Sequence, residues 1–378
     1  MNKRHRDTLL ALNRQPLFPA KAWTALAIAT AILAILPLLN LFFAPGHALH
    51  VPAHTVALLG KFMCYALAAL ALDLVWGYAG ILSLGHGIFF ALGAYAQGMY
   101  LMRSTAEVTA AAGGSRLPAF MSFLGWTEYP WYWSMTQHFW WAMLLALAVP
   151  GLLAFLFGYF AFRSRIKGVY FSIITQALTF AAMLLFFRNE TGFGGTNGFT
   201  DFQRILGFNL TAPATRAWLF WITLAVLFAA LVLSRLLTQS RYGRVLTAVR
   251  DAESRVRFLG YEPLGFKLFV WTISAMLCGL AGALYVPQVG IINPSEMSPA
   301  NSIEMVIWVA TGGRGTLFGP IIGAGTVNGL KTWFTTAMPE YWLYALGALF
   351  VIVTIFLPQG MVGLARKLAA RRKEQAHD

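Results

Sequence analysis

Charge is scarce in this chain. Asp, Glu, Lys and Arg make up only 11% of its 378 residues, against 58% apolar ones, and the mean hydropathy is +0.63. A soluble domain of this length needs far more charge to cover its surface, so that class is excluded. Cysteine is nearly absent. Cys64 and Cys278 both sit inside apolar runs, which removes a disulfide framework and leaves them as small packing residues. Acidic residues are half as frequent as basic ones, giving a net charge of +14. With this apolar content, the excess does not describe a nucleic-acid surface. Catalytic patterns are missing too. No G-x-x-x-x-G-K-[ST] loop occurs, since Gly60-Lys61 runs on into Phe62, and neither G-x-S-x-G nor H-E-x-x-H is present. His47, His50 and His54 imitate metal-ligand spacing, but Pro52 interrupts any helix that would align them and no Cys or carboxylate is adjacent. No enzyme activity, metal or cofactor is expected of this chain.

What the sequence has instead is long apolar runs. Crossing the hydrocarbon core takes roughly 20 residues at about 1.5 Å each. Candidate spans fall at 22–43, 56–76, 82–102, 139–162, 168–187, 217–237, 268–288, 302–313, 316–336 and 341–357. The first exceeds a signal-peptide core and lacks a convincing cleavage site, so it reads as a retained span. The expected fold is an all-α polytopic membrane protein of about ten transmembrane helices, including broken or re-entrant segments. A basic N-terminus (1–21) precedes a transmembrane domain (22–357) with one long polar loop (238–267), and a basic tail (358–378) follows.

The basic residues fix an expected orientation. Twenty of the 28 Lys and Arg residues fall in the N-terminus, the 163–167 link, the long loop with Arg235 just before it, and the tail. Ten crossings put all four stretches on one side, which the bias of Lys and Arg identifies as cytoplasmic, with both chain termini there. On the other side two long segments are expected. Residues 103–138 end in Trp126, Tyr129, Trp131, Tyr132 and Trp133, an aromatic group suited to headgroup depth. Residues 188–216 centre on Gly192, Gly194, Gly195 and Gly198, which argue for irregular backbone.

Two segments break the helical pattern. The dozen residues of 302–313 supply only about 18 Å of helix, with Gly312-Gly313-Arg314-Gly315 at their end, and lipid cannot satisfy free backbone groups there. Residues 76–87, Trp76-Gly77-Tyr78-Ala79-Gly80-Ile81-Leu82-Ser83-Leu84-Gly85-His86-Gly87, form the other. Paired broken segments in the two halves of a chain point toward a transport site. Gly315, Gly319 and Gly323 recur every fourth residue and would let a second helix approach closely. Asp73 is an intramembrane carboxylate, functional, or else a structural hydrogen-bond acceptor or a partner of Lys61 or Arg314 near an interface. His86 either lines a path or packs as a neutral imidazole. In the long loop, Val245, Ala248, Val249, Ala252 and Val256 keep helical spacing up to Gly260. Such a helix would dock on a soluble partner or lie on anionic lipid.

The stretch Gly77–Gly87, with Gly168-Val169-Tyr170-Phe171-Ser172-Ile173-Ile174-Thr175, Ala248-Val249-Arg250-Asp251 through Leu259-Gly260, Gly312-Gly313-Arg314-Gly315-Thr316-Leu317-Phe318-Gly319-Pro320 and Phe356–Leu364, resembles the permease subunits of ABC importers of the branched-chain amino acid type. Within that family, Arg188-Asn189-Glu190-Thr191-Gly192-Phe193-Gly194-Gly195-Thr196-Asn197-Gly198-Phe199-Thr200-Asp201-Phe202 is most similar to the urea branch. The resemblance implies a bacterial inner-membrane permease that carries urea inward. Its implied partners are a homologous second permease subunit, two cytoplasmic ATP-binding subunits that hydrolyse the ATP, and a periplasmic substrate-binding protein. Ala248, Arg250, Asp251, Glu253 and Gly260 would then belong to the ATPase-coupling helix. For a small neutral solute, backbone groups at the broken helices would replace water. Ser83, Gly85, His86, Thr311, Gly312 and Gly313 are the expected path residues. The alternatives are a hydrophobic amino-acid permease and a passive small-solute channel. A membrane-embedded enzyme would need more clustered His or carboxylates than this chain has.

Overall fold

The computed structural model describes residues 17–356, 360–365 and 367. Each of the ten apolar runs is a helix. The helices are α1 (Ala20–Phe42), α2 (Ala53–Asp73, continued by a π turn over Leu74–Tyr78), α3 (His86–Ala111), a short α4 (Ala119–Phe123), α5 (Phe139–Arg163), α6 (Val169–Phe186) and α7 (Pro213–Gln239). After them come α8 (Arg241–Phe258), α9 (Pro263–Val289), α10 (Pro299–Gly312), α11 (Phe318–Ala337) and α12 (Trp342–Phe356). Among the described residues, six (α1, α2 with its π turn, α5, α6, α7 and α9) are long and apolar enough to cross a membrane. The others fall short for visible reasons. α10 and α12 have only 14 and 15 residues, and α3 and α11 carry polar side chains such as Gln97, Arg103, Asn328 and Lys331. The polar loop is shorter than 238–267, because α7 runs on to Gln239 and α9 already starts at Pro263. Residues 1–16 of the basic N-terminus and most of the basic tail lie outside the described residues.

α9 is the central helix, packed against α2, α3 and α5. Its crossing with α3 is a backbone contact. A Cβ at Gly93 would sit 1.9 Å from the Gly279 carbonyl oxygen, and one at Gly282 would sit 1.9 Å from that of Phe90. Only glycine permits so close an approach, which maximises dispersion contact where lipid offers no hydrophobic drive. Trp271 fills the centre and donates its indole N–H to Ala154 O at 2.9 Å, satisfying its one polar atom. α1 leans on α7, with Trp221 Nε1 donating to Ala34 O at 3.0 Å.

On the face opposite α8, the two long segments pack on each other. Arg103 donates to Trp133 O at 2.7 Å, and its guanidinium lies 4.3 Å from the Tyr129 ring centroid. Tyr132 donates to Thr191 O at 2.6 Å. The expected aromatic belt is therefore split. Trp131 and Trp140 are exposed, whereas Trp133 is fully buried beside Phe120 and Phe199. The glycine-rich segment adopts positive φ at Gly192, Gly194, Gly195 and Gly198, which an L side chain tolerates poorly. A two-residue hairpin, β1 (Arg204–Ile205) with β2 (Phe208–Asn209), follows and was not expected from the sequence.

α10 begins inside the bundle. Phe199 bridges Ile292 at the level of Gly98, whereas Gly87 touches Glu296 O and Ser302 Oγ. Eleven residues of α3 separate those levels, about 16 Å along the axis. The chain after α9 thus descends to the turn at Pro294–Met297 and restarts as a half-helix capped by Ser298.

Candidate functional site

The two interrupted segments meet. Asp73 Oδ1 accepts the Gly315 N–H at 2.7 Å, Asp73 Oδ2 accepts that of Leu317 at 3.4 Å, and Tyr78 donates its hydroxyl to Gly315 O at 3.1 Å. The chain leaving α10 has no helical partners for these amides, so the carboxylate supplies them. Asp73 is thus a buried acceptor for backbone. Neither cation expected beside it is its ion-pair partner. Lys61 lies twelve residues back along α2, about 18 Å away, and Arg314 rests over the Trp76 ring, 5.2 Å from its centroid.

Helix α8 is fastened to the same junction. Ser240 caps it, accepting from Gly243 N at 3.2 Å. Arg250 donates from Nη1 to Gly77 O at 2.6 Å while its Nε holds Asp251 at 2.8 Å. Glu253 gathers three cations: Lys167 at 2.8 Å, Arg257 at 2.8 Å and Lys267 at 2.7 Å. Burial alone would raise that carboxyl, but hydrogen bonds from the three cations outweigh it and hold its pKa down to about 2. The hydrogen bond from Arg250 does the same, more weakly, for Asp251. The helix is bent at Ala252, whose φ and ψ of −156° and 70° are not helical. Its buried stripe is Gly243, Leu246, Val249 and Val256, so Ala248, expected on the apolar face, points outward. At the helix end, Phe258 and Leu259 are 90% and 76% exposed, and Gly260 takes positive φ.

The expected path residues are all buried. His86 Nε2 lies 2.9 Å from Ser274 Oγ, which in turn donates to Ala71 O. The ring packs edge-on to Trp271. Ser83 Oγ accepts from Gly85 N at 3.1 Å, and Gly85 abuts Thr175. A Cβ on Gly312 would collide with Gly319 O at 1.8 Å, and Gly313 lies against Gly360. Thr311 Oγ1 is buried without a hydrogen-bond partner among the described residues. Gly315 is not on the helix with Gly319 and Gly323. It lies in the turn before α11 at φ +73°, while the other two pack α11 onto α10.

A polar cavity of about 170 Å³ lies elsewhere, between α2, α9, α10 and α11. Its walls carry Lys61, Tyr65, Tyr285, Glu296, Glu304 and Lys331. None of the expected path residues lines it. Sequence reasoning noticed Lys61 only as a neighbour of Asp73. The signal that could have found the cavity was a count: Lys61, Glu304 and Lys331 are three charges within apolar runs, each costly there.

Over residues 54–354 the chain matches the family described as branched-chain amino acid transport system, permease component. It is 28% identical to the high-affinity branched-chain amino acid transport system permease protein LivM of Escherichia coli, over 83% of this chain and 72% of that one. It is 26% identical to the protein of the same name from Salmonella typhimurium, over 83% and 71%. A probable LivM permease of Methanocaldococcus jannaschii is 26% identical over 69% and 76%. No solved structure matches.

Proposed function

The chain belongs to the branched-chain amino acid transport permease family, and from that premise we propose that it is a membrane subunit of an ATP-driven importer whose helix α8 receives the stroke of separate ATPases. One observation carries the reading. Arg250 of α8 is bonded to Gly77 O, and the segment containing Gly77 is bonded through Asp73 and Tyr78 to the turn between α10 and α11. A displacement of α8 therefore reaches both broken segments through three hydrogen bonds, which suits an element with two arrangements. In this reading α8 and both termini face the cytoplasm of a bacterium. Two ATP-binding subunits, a second homologous permease and a periplasmic binding protein complete the importer. The expected path residues Ser83, Gly85, His86, Thr311, Gly312 and Gly313 then lie in a closed state of the path.

Two cargoes are in play. The printed names of the relatives support a branched-chain amino acid. The segment Arg188–Phe202, which resembles the urea branch, supports urea.

Reconstitution tests the reading. Liposomes carrying the complete importer should take up labelled urea or leucine only with ATP, and the permease alone should be inert. Uptake by the permease alone would establish the passive-channel alternative. Direct binding of urea against leucine to the periplasmic partner decides the cargo.

A further inference from the structure

The polar cavity between α2, α9, α10 and α11 has an unusual charge arrangement for its depth. Glu304 and Lys331 form a closed pair at 2.8 Å, bridging α10 and α11. Glu296 is held by neutral donors, Tyr285 Oη at 3.2 Å and Asn301 Nδ2 at 3.4 Å. Lys61 makes no ion pair among the described residues. Its ammonium lies over the Tyr65 ring, 5.5 Å from the centroid. Lys61 and Glu296 thus line one cavity without closing on each other. An unmatched cation and an acceptor around a space inside the bundle are expensive to keep, and a ligand that uses both removes the cost.

We infer that this cavity is a binding site for a small neutral or zwitterionic solute, whose oxygen accepts from Lys61 and whose N–H groups donate to Glu296. The charges argue for that class. With Glu304 and Lys331 already paired, Lys61 and Glu296 present one positive and one negative pole, so a lone anion or cation would leave the other uncompensated. Urea satisfies both poles with its carbonyl and amide groups, and an amino acid does so with its carboxylate and ammonium. The half-helix start adds to this. α10 begins at Pro299 behind its cap Ser298, so its first-turn residue Asn301 borders the cavity. Broken helices supply such positions in other membrane carriers. The inference rests on the importer reading above and names where its cargo is held.

Cysteine labelling tests it without the ATPases. Cys64 and Cys278 are fully buried, so the permease carrying Met305→Cys offers one reactive thiol on the cavity wall. The expected result is that urea or leucine slows its modification, by about tenfold when the solute stands at about ten times its dissociation constant. Protection by urea identifies the amide, and protection by leucine the zwitterion. Adding Lys61→Met should weaken protection about ten- to a hundredfold in solute concentration, the loss expected of a charged hydrogen bond, while Lys61→Arg keeps part of it. A modification rate indifferent to both solutes, protection that survives Lys61→Met, or a thiol that no small reagent reaches would each overturn the site. ATP-driven uptake is read separately. Protection without uptake sinks the importer reading and leaves the site, and uptake without protection does the reverse.

Discussion

Asp73, at the end of α2, accepts the backbone N–H of Gly315 at 2.7 Å across 242 residues of sequence. A carboxylate two helices away has taken the place of the next helical turn. That choice explains how an interrupted span survives among apolar neighbours, because amides left open there would each cost about 1–3 kcal/mol. It also makes the two interruptions one object. Whatever moves the segment around Gly77 must carry the turn at Gly315 with it or break these bonds.

Asp73→Ala should therefore strip two amides of their acceptor and destabilise the chain by about 2–6 kcal/mol, from about 1–3 for each. Asp73→Asn keeps one acceptor oxygen for Gly315 and turns a donor toward Leu317, so an intermediate loss is expected. Thermal unfolding of the detergent-purified protein ranks the three. A melting temperature for Asp73→Ala equal to that of the parent would refute the bracing role.

For Arg250 the expected damage is to coupling. Removing the side chain frees Gly77 O at the polar edge of the bundle, where water can replace the lost donor. Arg250→Ala should leave abundance and thermal stability near those of the parent, while ATP-driven uptake falls about tenfold or more. Uptake and melting temperature measured on one preparation separate the outcomes. Parallel losses in both would show that Arg250 merely holds the fold.

Glu253 gives a prediction with a pH axis. Its folded pKa of about 2 lies below the ordinary carboxyl value of 4.5, so the folded state resists its protonation. Its stabilising contribution is complete above about 4.5 and fades as pH falls toward about 2. The melting temperature of Glu253→Gln should lie below that of the parent near pH 6, and the gap should narrow progressively as the pH drops below about 4. The bend at Ala252 also changes what a proline would do. In an unbroken helix, Glu253→Pro would act by breaking it. Here residue 253 opens the second helical piece, a position proline tolerates. Glu253→Pro and Glu253→Gln should thus impair uptake alike, through loss of the three-cation anchor. A proline variant far worse than the glutamine one, compared by uptake at equal abundance, would restore the backbone explanation.

The helices were legible because lipid imposes a length and a composition that show in any window of residues. The breaks were legible for a related reason, since Gly77–Gly87 and Gly312–Gly315 interrupt runs that are otherwise uniform. Their meeting was not, because a carboxylate that accepts from backbone leaves no complementary charge elsewhere in the sequence to find. The two readings of His86 stayed open for a similar reason. A buried imidazole bonded to Ser274 and one lining a path look alike until the neighbouring helix is placed. On α8 the expected Val249 and Val256 are buried, but Leu246 rather than Val245 or Ala248 completes the stripe, a choice set by which face meets the bundle. The cavity escaped notice because its walls come from four helices, each contributing one or two polar residues that look incidental alone.

Glycine spacing gives the last expectation, and the turn at Gly315 sharpens it. Only Gly319 and Gly323 of the three-glycine series lie on α11, and both face α10. A Cβ on Gly323 would stand 2.0 Å from Trp308 O and 2.7 Å from Gly312 N. Those are backbone atoms of a packed helix, so Gly323→Ala must push α10 and α11 apart, at a cost of about 1–3 kcal/mol or more. It should also strain the Glu304–Lys331 pair that bridges them. Gly329 lies on the same helix with nothing within 4 Å of a built Cβ. There alanine gains helix propensity of about 1 kcal/mol without a collision, and Gly329→Ala should raise the melting temperature slightly. The two substitutions are chemically identical and six residues apart, so propensity alone predicts the same sign for both. Opposite signs in thermal unfolding would establish that close backbone contact sets the choice of glycine at 323, and equal signs would remove that contact from the account of how α10 and α11 are held.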